Sequence, residues 1–192
     1  MENNMSTLFE RIKSCALSNG AHKANVISVD NVELDRAFRD MCASNACGVY
    51  GRCWMCPPDV GDIETLMNEI KEYEHVLVYQ TVYPLEDSYD FEGMQDAKKV
   101  HYKLSFAVRE AVKKESGVKK ALHLGCGGCG VCEVCAKRTG EPCRYPELAM
   151  PSLEAYGVNV SRLAASADMK YINGQNTVTY FGAVFFDLAE EV

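Results

Sequence analysis

A chain of 192 residues with a net charge of -7 is long enough for one packed domain, and its acidic balance argues against a surface built to bind nucleic acid. The opening MENNMSTLFERIK has no apolar centre and no apolar run approaches the ~20 residues a bilayer requires, so the sequence predicts a cytoplasmic protein without membrane insertion. Its 10 cysteines far exceed ordinary usage, and in a reducing compartment that surplus points to metal or redox chemistry rather than disulfides.

Leu8, Ile12, Cys15 and Ala16 fall on one stripe of a first helix, where Cys15 reads as a buried free thiol. A strand over 24–29 and a helix over 34–42 follow, and residues 42–58, rich in Gly, Cys and Pro, read as a loop. Asp62 caps a helix carrying Ile63, Leu66, Met67 and Ile70, and 75–83 makes a second strand. The longest amphipathic helix covers 90–116, closed by Lys113, Lys114 and Gly117. A third strand over 120–124 runs directly into the Gly- and Cys-rich segment 125–146. Short helices at 152–156 and 160–167 precede a last strand, 177–188, whose two apolar faces predict a central position in the sheet. A stretch at 169–172 offers a hairpin that would make the sheet mixed. The expected fold is therefore α/β, a small mixed sheet with flanking helices and two cysteine-rich metal-binding loops, at 42–58 and 125–146, in a single domain over 1–192.

Eight of the cysteines form two sets of four, Cys42, Cys47, Cys53, Cys56 and Cys129, Cys132, Cys135, Cys143. Thiolates in fours suit a tetrahedral metal or a cubane iron-sulfur cluster, because soft sulfur donors complete the shell of zinc or of each cluster iron. In the second set, three thiols at successive three-residue steps with a remote fourth near Pro146 follow the logic of a 4Fe-4S site rather than the paired knuckles of structural zinc. Gly125, Gly127, Gly128 and Gly130 would let backbone approach the cluster and point N–H groups at its sulfurs. Cys126 extends the same rhythm, so spacing leaves Cys126 or Cys143 as the fourth ligand. The first set is less regular; Cys53-x2-Cys56 before proline serves zinc and iron-sulfur chemistry alike, and Trp54 would shield the group from water.

The segments YGRCWMCPP and GGCGVCEVCAKRTGEPCRYPELAMPSLEAYGVNV resemble a prokaryotic family of cysteine-rich predicted metal-binding proteins, domain of unknown function 2284, along nearly the whole chain. The resemblance implies metal binding, pairs Cys143 with Cys129, Cys132 and Cys135, and makes Cys126 the extra thiol. It leaves reaction and substrate open.

His22, His75, His101 and His123 share no spacing that converges on a site, and each reads as a surface or half-buried side chain. Tyr156 and Asp168 are candidates for a pocket wall, and no dinucleotide, phosphate-loop or nucleophile-elbow motif is present. The sequence thus predicts an iron-sulfur protein with two 4Fe-4S clusters, serving electron transfer or a redox accessory role in anaerobic metabolism. Its acidic surface would favour a partner protein with a basic patch. Two other classes stand beside it: an enzyme whose cluster keeps an open iron site, and a zinc-stapled interaction module.

Overall fold

The structure is a computed structural model, and it describes residues 2–189. Five helices, α1 (Glu2–Ser18), α2 (Ala37–Ala43), α3 (Ile63–Lys71), α4 (Phe91–Lys114) and α5 (Val160–Ser166), flank four strands, β1 (Lys23–Ser28), β2 (His75–Pro84), β3 (Val118–Leu124) and β4 (Thr177–Leu188). The sheet order is β1-β2-β4-β3, so the last strand is central, as its two apolar faces require.

Alternation along the strands divides the core in two. Val76 and Val78 of β2 with Phe181, Ala183 and Phe185 of β4 face α3 and α5, whereas Leu77, Tyr79, Val184 and Phe186 face α1 and α4. Helices cover both faces, which is why the central strands carry apolar residues at successive positions. Local signals place the helix starts: Asp62 accepts from the Thr65 amide at 3.1 Å, Asp90 from Gly93 at 2.8 Å, and Asn159 from Arg162 at 3.2 Å.

Four details differ from the sequence reading. Every strand pairing is antiparallel, and residues 169–172 add no strand, so the sheet is not mixed. Two-sided burial by helices, usually the mark of parallel sheets, here encloses an antiparallel one. The second helix begins at Ala37 because Leu34 is held in an isolated bridge with Val158. Cys15 is half-buried, its sulfur accepting from the Asn19 side-chain Nδ2 at 3.6 Å. His101 and His123 are buried rather than superficial, with 0% and 9% exposure.

Those two histidines belong to a polar layer between α4 and the sheet. The Tyr79 hydroxyl lies 2.6 Å from His123 Nε2 and donates to Ser105 at 2.8 Å, while Thr81 lies 2.9 Å from His101 Nδ1. Burial pushes His101 down to about 4 and His123 to about 3, so both are neutral near pH 7. No described helix is long and apolar enough to cross a membrane.

Candidate metal centre

Both cysteine segments come together beyond the end of β3, alongside the first half of α4. The first loop folds on itself through Gly51 N–H to Pro57 O at 2.9 Å and Cys56 N–H to Cys53 O at 3.0 Å. Trp54 then fastens it to the second loop, donating its indole N–H to Glu141 O at 2.9 Å. Lys137 covers the Trp54 ring at 4.2 Å and pairs with Asp59, crossing between the same two segments.

Helix α4 anchors the second loop. The Tyr102 hydroxyl reaches the carbonyl of Cys126 at 2.9 Å and that of Gly128, and Arg109 donates to Leu148 O at 3.1 Å and to Glu147 O. Glycine is needed where these elements touch. Gly127 adopts φ 61°, in the left-handed region, and a Cβ at Gly130 would run into the Tyr102 ring. At Gly128 a Cβ would meet the Cys56 sulfur at 3.5 Å, ordinary contact, so that position does not require glycine.

All ten cysteines are free thiols, and tertiary structure regroups them. Cys53, Cys129, Cys132, Cys135 and Cys143 line one cavity of about 20 Å³, beside Trp54. Cys42, Cys47 and Cys56 line a second cavity, of about 420 Å³. Cys53 therefore sits with the second sequence set, although its sulfur also meets Cys56. It contacts the thiols of both Cys56 and Cys135 and accepts the backbone N–H groups of Met55 and Cys129. Donation from Cys56 brings the Cys53 thiol down to about 6, while the same contact and burial push Cys56 up, so the pair sheds one proton readily and holds the other. Backbone N–H groups of Val131 and Met150 point at Cys129, whose thiol burial nevertheless raises.

Cys126 lies apart. It lines neither of these cavities, and burial pushes its thiol up to about 12. Its electrostatic influence falls on Tyr79, Tyr102 and Tyr180, the aromatic layer between α4 and the sheet.

Among the described residues, no three His, Cys, Asp or Glu side chains converge closely enough to hold a single metal ion. A tetrahedral zinc shell needs sulfurs about 3.8 Å apart, from its Zn–S bond of about 2.3 Å. Cubane ligands each bind a different iron and stand farther apart than the ligands of a single ion. The all-sulfur donor set, the ready thiolate at Cys53 and the N–H groups aimed at sulfur suit such a group.

Sequence reasoning missed two further features. A cleft of about 380 Å³ beside Cys47, Cys53, Cys129, Cys132 and Cys135 carries Arg52, Lys98, Lys99 and Arg138 against one acid, Glu133, a net basic exception on an acidic chain. Glu154, on the wall of the 420 Å³ cavity, is desolvated so that its carboxyl is pushed up. Neither has a local signature, since both arise from loops distant in sequence. Tyr156 lines a separate cavity with His123 and Arg109, whereas Asp168 occupies a turn at φ 56°.

A family described as predicted metal-binding protein (DUF2284) matches residues 25–186. No curated protein and no solved structure matches the chain.

Proposed function

The chain belongs to this family of predicted metal-binding proteins, and from that premise we propose that it binds two 4Fe-4S clusters and passes electrons to a partner protein as an accessory of anaerobic redox metabolism. The observation that carries this reading is the junction of the two loops. It gathers Cys53, Cys129, Cys132, Cys135 and Cys143 around one cavity, with backbone N–H groups directed at the sulfurs of Cys53 and Cys129. Such N–H groups stabilise anionic sulfur and raise the potential of a cluster.

Cys129, Cys132, Cys135 and Cys143 hold the second cluster in this reading, and Cys42, Cys47, Cys56 and Cys53 the first. The clusters supply one-electron chemistry when bound; the chain ligates them, keeps water off and offsets their negative charge with Arg52, Lys98 and Arg138. Contact of the Cys53 sulfur with both Cys56 and Cys135 supports a reading in which the two clusters are neighbours that exchange electrons.

A second reading, an enzyme with an open iron site, is favoured by one specific observation. Cys53 lines the second cavity and not the first, which leaves Cys42, Cys47 and Cys56 as the thiols facing the larger cavity. A cluster with three protein thiolates keeps one iron free for substrate.

Iron and acid-labile sulfide in anaerobically purified protein test both. About eight of each per chain is expected for two 4Fe-4S clusters. Stoichiometric zinc without sulfide would overturn the iron-sulfur reading, and a first cluster whose spectrum responds to exogenous ligands would select the open-site enzyme.

A further inference from the structure

We propose that the cavity against Cys42, Cys47 and Cys56 is a binding site for a small organic cation, an amine carried on an apolar or aromatic body. Its volume of about 420 Å³ lies in the range of small-molecule sites. Phe38, Val49, Tyr50, Pro57 and Val160 give it apolar walls, and among the described residues Glu154 is the only charged one that lines it.

The charge balance selects the ligand. Desolvation dominates the Glu154 carboxyl, and Lys98 is the weakest of the influences on it; that lysine lines the neighbouring basic cleft instead. Ser152 and a backbone N–H bond the Glu154 carboxyl, no cation among the described residues lines the cavity beside it, and an entering ammonium would supply an ion pair there. Phe38, Tyr50 and Tyr171 add ring faces that attract a cation. An anionic ligand would meet Glu154 and three thiols, with no cation in the wall to receive it. The cysteine belt thus separates two chemistries, a basic cleft on one side and an apolar, acid-tipped cavity on the other.

The assignment rests on the metal reading only for the role of the three thiols as ligands, and its test reads binding rather than turnover. Para-fluorobenzylamine, para-fluorobenzyl alcohol and para-fluorobenzoate are titrated by fluorine NMR into the full-length protein, iron-loaded and iron-free. The amine should bind about tenfold more tightly than the alcohol, an advantage of one decade in affinity, and the benzoate should not bind. Glu154→Gln should reduce the amine to the level of the alcohol. Ala46→Trp, at an exposed residue that lines the cavity, should weaken both, and it decides the matter if Glu154→Gln loses its far-UV signature. Equal binding of benzoate and amine, an amine affinity indifferent to Glu154→Gln, or no binding by any probe overturns the site. Protein that holds no iron yet binds the amine in this pattern overturns the cluster reading and sustains the site; iron-loaded protein indifferent to the amine does the reverse.

Discussion

Trp54 donates its indole N–H to the carbonyl of Glu141 at 2.9 Å, a bond spanning 87 positions of sequence that joins the two cysteine loops. Trp54→Phe keeps an aromatic ring under Lys137 but removes the donor. A loss of about 1 kcal/mol is expected from one hydrogen bond, read as a lower urea midpoint. Faster proteolysis between residues 125 and 146 should accompany it, since the loop has little apolar periodicity of its own. Trp54 is also the only tryptophan, so its emission should fall when iron fills the adjoining thiol-lined site. Unchanged fluorescence on anaerobic iron and sulfide loading would contradict a cluster at that position.

Ligand choice at the second centre separates three cysteines. Cys143 lines the thiol cavity, whereas Cys126 does not, and desolvation pushes its thiol up. Cys143→Ser should therefore lose one cluster or convert it to a three-iron form, and Cys126→Ser should leave iron content unchanged. Cys53→Ser should perturb the first cluster if that thiol completes the first set. Iron analysis with electron paramagnetic resonance of the three variants checks the assignment, and loss of iron from Cys126→Ser alone would refute it.

Gly130 touches the ring of Tyr102, the same side chain that fixes the carbonyls of Cys126 and Gly128. Gly130→Ala should cost about 1–3 kcal/mol, the usual range for overpacking, and lower iron retention as the loop shifts. Adding Tyr102→Leu should recover part of the packing cost without restoring the loop's anchor. Thermal midpoints of the single and double variants measure the coupling, and a neutral Gly130→Ala would show that the contact relaxes freely.

His101 and His123 give the fold an acid limit. In the unfolded chain each takes up a proton near 6.5, but burial depresses the folded values to about 4 and about 3. Their contribution is complete above 6.5 and is lost as pH falls from there toward those values, because the unfolded state binds protons that the folded state refuses. Each costs about 1.4 kcal/mol per pH unit inside that window, so lowering the pH from about 7.5 to about 5.5 should remove about 2–3 kcal/mol through the pair. Urea midpoints of wild type and His123→Gln across that interval test it, and the variant should show the shallower slope.

Much of this architecture follows from local pattern. The caps at Asp62 and Asp90, the stripe of α4 and the two-faced strand β4 mark elements whose period and termini are fixed by neighbours in sequence. The cysteine spacing likewise marks two thiol-rich loops, because the thiols of each loop lie close together in sequence. Strand direction was not legible, since helices on both faces impose the same apolar pattern on parallel and antiparallel strands. Tertiary structure decided that Cys53 contacts Cys135, that Cys126 stays out of the thiol cavity, and that Glu154 tips an apolar cavity. These depend on how Tyr102, Trp54 and Arg109 dock the loops, and contacts between segments so far apart leave no periodicity in the chain.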